Sequence, residues 1–271
     1  MDLRKTKEED RMQKKVLTIV LTLIMFLSVV VLGGATVFRV DDVSVVAEVV
    51  SEQAKTEAEE LKNTLLKLYK DENIFAVDSV KAKKVFLNYP HFHFEKFEKS
   101  YPNKIVISIV EESEVYAVET ADSEYYILGR NGLVLEQRAS SQNRLDNASN
   151  VLIKGLTVSG EKGGQLVGDD CWESILSLCM AMDGVLGGIR SNVVSVEVLL
   201  RSPETFYLIT MREGVKIYVG NPKTMTEEKA IKAMNEYLLL SDEERMTGRL
   251  TVRDAENEVF VRYSREDEFQ P

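Results

Sequence analysis

The sequence predicts an α+β chain in three parts: one transmembrane helix near the N-terminus, a small β-α-α-β-β module, and a larger mixed-sheet β domain with two helices. Three observations carry this. An uncharged apolar run extends from Val16 to Phe38. Between Phe38 and Glu112 strand-type alternation gives way to helical spacing and then returns. Beyond Glu112 short alternating stretches recur between turn residues, interrupted by two helical segments.

The apolar run is closed by Lys14 and Lys15 on one side and Arg39 on the other. At about 1.5 Å of rise per residue it makes a helix of roughly 34 Å, enough for a hydrocarbon core of about 30 Å. The membrane is therefore an expected partner, crossed once over 16–38. The tail 1–15 holds six basic and four acidic residues, a net +2. Basic bias beside a span sets its orientation, so the N-terminus is expected in the cytoplasm and the C-terminal domains outside a cell (inner or plasma) membrane. A cleaved signal peptide is the rival reading. Its core would be shorter and end at a small-x-small site, whereas Gly33-Gly34-Ala35 lies inside the run.

Charge narrows the partners. The chain carries −10 overall, which leaves −12 beyond the tail and the neutral run. That disfavours nucleic acid and anionic lipid as ligands of the folded part. The two cysteines, Cys171 and Cys179, fall eight apart in a helical segment, roughly 12 Å along its axis. Disulfide Cα atoms lie within about 7 Å, so both are expected to be free thiols.

The elements follow in order. Asp42 to Ala47 alternates as a strand, and Thr56-Glu57-Ala58-Glu59 matches a capping box ahead of Leu61, Leu65, Leu66, Leu68 and Tyr69. Asp78 caps a second helix that runs to Leu87, and Asn88 and Pro90 stop it. Phe92, Phe94 and Phe97 mark a strand, Tyr101-Pro102-Asn103 a turn, and Lys104 to Glu112 a strand with Ile105, Ile107 and Ile109 on one face. Strands are expected next at Val115–Glu119, Tyr125–Leu128, Leu133–Gln137 and Val151–Ile153, with loops over 139–150 and 160–168. A helix follows from Asp170, with Ile175, Leu178, Cys179 and Met182 inward. Then come strands Val193–Leu200, Phe206–Met211 and Val215–Val219, a helix Thr226–Leu240, and closing strands Arg249–Val252 and Glu258–Tyr263. The resulting parts are a tail 1–15, a span 16–38, a module 39–112, a β domain 113–263 and a short acidic mobile tail 264–271.

Catalytic patterns are missing. His91 and His93 are the only histidines, and no cysteine or paired carboxylate is placed to complete a metal site with them. There is no phosphate-binding glycine loop, no G-x-S-x-G turn and no H-E-x-x-H. Glu111 and Glu112 are neighbours on a strand and point to opposite faces. The chain reads as a non-enzyme without cofactor or metal.

Several short motifs, in order, give the chain a relative. Phe38-Arg39-Val40 follows the apolar run. Asn73-Ile74-Phe75-Ala76-Val77-Asp78 sits between the two helices of the module, and Tyr101-Pro102-Asn103-Lys104-Ile105 leads to Ile109-Val110-Glu111-Glu112. Later come Phe206 with Gly214-Val215-Lys216-Ile217-Tyr218-Val219-Gly220, a helix bearing Lys229 and Lys232, and Leu250-Thr251-Val252-Arg253. In this order they resemble the bacterial cell-division family FtsQ/DivIB, whose module after the span is a POTRA domain. Glu112-Ser113-Glu114 departs from the family's Arg-x-Pro, and Gly129 stands where an Asp is usual.

The resemblance implies a non-catalytic divisome scaffold at the division septum. It would bind FtsB/DivIC-like and FtsL-like proteins, touch the septal peptidoglycan synthase complex, and help regulate septal peptidoglycan synthesis. The expected contact is the last strand, which a partner strand can extend: Val259, Phe260, Val261, Arg262 and Tyr263, with Arg253 beside it and Lys229 as an addition. In the module, the edge near Phe92 to Phe97 is the second candidate. The alternative function is a membrane-anchored extracytoplasmic receptor or sensor for a small ligand or cell-wall fragment.

Overall fold

A computed structural model describes residues 15–28, 36–49, 52–144, 148–200, 204–256 and 258–265. The first finding is a correction. Helix α1 covers residues 15–28, roughly 21 Å against the roughly 30 Å a bilayer core requires. Among the described residues no helix is long and apolar enough to cross a membrane. An apolar run is a property of composition, whereas crossing requires continuous helix, and residues 29–35 of the run lie outside the described residues. The expected membrane partner, single-pass localisation, cytoplasmic N-terminus and extracytoplasmic domains rested on that span and lose their support, and the septal placement implied by the resemblance loses the membrane it presupposed. The tail 1–14 and residues 266–271 also lie outside the described residues. Ser264, expected to begin the terminal tail, instead ends the last strand.

The chain divides into two compact units, one of residues 1–48, 56–85 and 94–109, the other of 49–55, 86–93 and 110–271. In the first, β1 (Asp42–Glu48), α2 (Glu52–Tyr69), α3 (Ser79–Phe86), β2 (Phe92–Ser100) and β3 (Lys104–Glu111) form a three-stranded sheet, order β1-β3-β2, with two helices. Helix α2 starts a turn before the Thr56 capping box, because Glu52-Gln53-Ala54-Lys55 are all good helix formers. Leu61, Leu65 and Tyr69 recur at helical spacing and are fully buried, as are Ile105, Ile107 and Ile109 on alternate positions of β3.

Tyr69 ties the helices together. Its hydroxyl accepts the Ala82 N–H at 3.0 Å and donates to the Asp78 carbonyl at 2.7 Å. Asp78 Oδ1 accepts the Val80 N–H at 3.0 Å. Two of the N–H groups that the first turn of α3 leaves without helical partners are thus satisfied. Burial pushes the Tyr69 phenol up from its ordinary value.

The second unit is built on a nine-stranded sheet of order β14-β13-β12-β11-β10-β7-β4-β5-β6. Its strands are β4 (Glu114–Glu119), β5 (Tyr125–Gly129), β6 (Val134–Arg138), β7 (Val151–Lys154), β10 (Val193–Leu200), β11 (Thr205–Met211), β12 (Lys216–Gly220), β13 (Arg249–Ala255) and β14 (Glu258–Ser264). A separate two-stranded ribbon, β8 (Val158–Ser159) with β9 (Val167–Gly168), lies where loop was expected. The pairs β4/β7, β7/β10 and β12/β13 are parallel and the rest antiparallel.

A tight turn cannot join parallel neighbours. Helices α4 (Trp172–Leu186) and α5 (Ile189–Asn192) carry the chain from β7 back to β10, and α6 (Thr226–Leu239) and α7 (Asp242–Met246) from β12 to β13. Helices α4 and α6 pack together, and α6 lies against β13 and β14. The core joins Ile175, Leu178 and Met182 of α4 and Ala233 and Met234 of α6 to Ile153, Val196, Ile209, Ile217 and Val252 of the sheet. Two helices were expected here; the described residues hold four. The short α7 has a full capping box, with Ser241 Oγ accepting the Glu244 N–H and Glu244 Oε2 accepting the Ser241 N–H at 3.0 Å.

Cys171 and Cys179 are free thiols, and burial pushes the Cys179 thiol up to about 12. Tyr116 on β4 is fully buried, and its hydroxyl has no hydrogen-bond partner.

The same substitution is therefore expected to act with opposite sign at two tyrosines. Tyr69→Phe strips a buried N–H of its acceptor and should destabilise by about 1–3 kcal/mol. Tyr116→Phe removes a buried hydroxyl that bonds to nothing and should be neutral or stabilising by up to about 1 kcal/mol. Urea unfolding of the two variants beside wild type measures both, and a loss at Tyr116 equal to that at Tyr69 would contradict the assignment.

Candidate functional site

An open sheet exposes a row of backbone N–H and C=O groups at each end. At the β6 end the start of the row, at Leu133 and Val134, is covered. Val134 N–H donates to Gly164 O at 2.8 Å, Gly163 N–H donates to Val134 O at 2.8 Å, and Leu133 bridges Gln165. At the other end β14 pairs with β13 alone, and among the described residues no strand lies beyond it.

Strand β14 reaches this position through a hairpin. Arg253 faces Phe260, Asp254 faces Val259 and Ala255 faces Glu258, with Glu256 at φ 51° in the turn. Alternation then sorts the candidate residues by face. Val259 is buried, and Val261 and Tyr263 are half-buried against the helix-covered core. The Tyr263 hydroxyl donates to the Thr247 carbonyl at 3.2 Å. Phe260, 54% exposed, lies on the face opposite that of Val259, with exposed Arg262 and Arg253.

On that face Arg253 sits over the Phe206 ring, 5.7 Å from its centroid. Gly220 makes the arrangement possible, since a Cβ there would come within 3.0 Å of Phe206 Cε1. The edge thus presents one exposed aromatic ring beside two guanidinium groups, on a backbone able to accept a further strand.

Lys229 is not part of that surface. It is fully buried on the first turn of α6. Its Nζ donates to the carbonyls of Gly220 at 2.9 Å and Asn221 at 2.7 Å and to Thr224 Oγ1 at 3.1 Å, and pairs with Asp254 Oδ1 at 2.5 Å. It fastens the loop before α6 to the strand that carries β14. The Lys229 hydrogen bond is the main reason the Asp254 carboxyl is held below its ordinary value, against an opposing effect of burial. Lys232, one turn on, donates to the Val259 carbonyl at 3.2 Å.

Neither Asp254 nor Lys232 was legible as part of the site. Asp254 stood in a stretch with the composition of a turn, and its partner is 25 positions away. The second candidate edge, β2, does end its sheet, but it carries Glu95, Lys96, Glu98 and Lys99, and such charges blunt an edge. The two histidines do not share a face. His91 precedes β2 and is fully buried, whereas His93 is exposed. Among the described residues no group of His, Cys, Asp and Glu could hold a metal ion.

No protein-family model matches the chain, and no curated protein matches it.

Lys229→Met should weaken the second unit at pH 7 by up to about 3 kcal/mol, the scale for removing one partner of a buried pair. Folded Asp254 holds its proton less tightly than unfolded Asp254. Its contribution is therefore fully present above the unfolded value of about 3.9 and lost as pH falls through the depressed folded value. The stability gap between wild type and variant should narrow as pH drops below about 4. A gap constant from pH 7 to pH 3 in chemical denaturation would remove Asp254 from the account.

Proposed function

We propose that this chain is a non-catalytic scaffold of a bacterial division assembly that binds FtsB/DivIC-like and FtsL-like proteins by accepting a strand on β14. The single observation that carries the reading is the position of β14 at the uncovered end of the nine-stranded sheet. Strand addition supplies affinity through main-chain hydrogen bonds and specificity through alternate side chains. Phe260 is the apolar anchor, and Arg253 and Arg262 favour an acidic partner segment. The motif order that resembles FtsQ/DivIB supports the choice of partner. Arg262 and Arg253 set the speed and salt dependence of encounter more than final affinity.

The test is binding of the purified full chain to a purified FtsB/DivIC-like protein, with circular dichroism to confirm folding. Phe260→Asp should weaken binding at least about 30-fold, the effect of losing an interface hot spot of about 2 kcal/mol. Removal of everything after Asn257 should abolish it. Undiminished binding by a folded Phe260→Asp variant would move the contact away from β14, and no binding by wild type would overturn the proposed partner class.

A further inference from the structure

The covered end of the same sheet holds an ionisable group that the scaffold reading does not use. His91 is fully buried, and neither of its ring nitrogens has a hydrogen-bond partner. Its Nε2 lies 3.6 Å from Glu136 Oε2 on β6. That is too long for a hydrogen bond and close enough for one to form with a small ring movement.

The surroundings of His91 belong to the second unit. Its own segment, residues 86–93, is seated by close backbone approaches. The Glu112 N–H donates to the His91 carbonyl at 2.7 Å. Gly163, at φ +83°, comes so near that a Cβ there would lie 2.2 Å from the Leu87 carbonyl oxygen. The loop bearing Gly163 is the one that covers β6, so segment, loop and edge strand meet around this histidine.

The charged groups can be named element by element. Strand β6 offers Glu136 and Arg138, whose NH1 lies 2.8 Å from Glu136 Oε1. Strand β4 offers Glu114, which pairs with Arg138. Glu111 and Glu112 come from the end of β3 and just beyond it, and Arg144 lies 3.2 Å from Glu111 Oε1. The loop carries Glu161 and Lys162, both exposed. Segment 86–93 adds exposed His93 and half-buried Tyr89. The buried carboxylates Glu111 and Glu114 and the partly exposed Glu136 thus face two arginines, Arg138 and Arg144.

We propose that His91 and Glu136 form a pH-dependent latch: proton uptake by His91 closes the contact with Glu136 and holds segment 86–93 more firmly over the covered edge of the sheet. A neutral imidazole protonated at Nε2 can offer Glu136 only an uncharged N–H. The imidazolium instead donates to a carboxylate, a charge-assisted bond stronger than a neutral one. Histidine is the side chain whose charge change is ordinarily met between about pH 5 and 8, which sets the range to examine. The closed form binds one proton more than the open form. The opening equilibrium therefore changes by at most about tenfold per pH unit.

The test is hydrogen exchange of the Glu112 amide, which bonds to the His91 carbonyl, in the full chain from pH 8 to pH 5.5 with intrinsic rates divided out. Protection should rise as pH falls, by severalfold over that range. It should be flat in Glu136→Gln, which keeps the size and polarity of the partner but not its charge. His91→Gln is the second variant, with circular dichroism to confirm its fold, and should be flat too. Protection independent of pH in wild type, or an unchanged slope in Glu136→Gln, would overturn the latch.

Discussion

Backbone groups at the end of a sheet must bond to something, and this requirement organises the second unit. A nine-stranded open sheet cannot satisfy both ends by internal pairing. The chain resolves one end within itself, laying the loop around Gly163 and Gly164 against Val134 and seating residues 86–93 beside it. The other end is left to β14, where the Lys232 ammonium reaches the Val259 carbonyl from the helix side. Among the described residues the asymmetry leaves β14 with an unpaired edge.

The uncovered edge is held by elements far from it in sequence. Among the described residues strand β14 has a neighbour on one side only, and that neighbour, β13, is reached by the long crossover through α6 and α7. Lys229 spans the start of this crossover and its destination, bonding the carbonyls of Gly220 and Asn221 and the carboxylate of Asp254. A buried ammonium is tolerated only with such a full set of acceptors. The pair lies opposite Val259 in the hairpin register, so the cost of burying the charge is offset where the edge strand needs its anchor. Lys229 therefore helps fix the position of β14 rather than adding to its surface.

How much was legible depends on the range of the interaction. Alternation in Lys104–Glu111, helical spacing of Leu61, Leu65 and Tyr69, and capping by Asp78 are contacts within a few residues of one another, and each was readable. Helix α7 was readable too, through Ser241 and Glu244, but five residues are too few to show a period. The Val16–Phe38 run shows the opposite failure: a strong compositional signal whose expected consequence needed a continuous helix, which the described residues do not provide. His91 and His93 are two apart, yet His91 precedes β2 and is buried while His93 lies on it exposed, a difference that spacing alone does not show.

The sequence by itself determined the kinds of elements and their order, because local periodicity and capping act through bonds and contacts within one or two turns. It also determined that the last strand would alternate, with Val259, Val261 and Tyr263 on one face and Phe260 and Arg262 on the other. Only the tertiary structure decided that β14 ends the sheet, that Phe260 stays exposed, and that Lys229 is spent on Asp254 instead of a partner. Those outcomes depend on which strands become neighbours across 20 or more residues. Strand order is settled by crossover geometry and by the packing of α4 and α6, neither of which leaves a local mark on the chain.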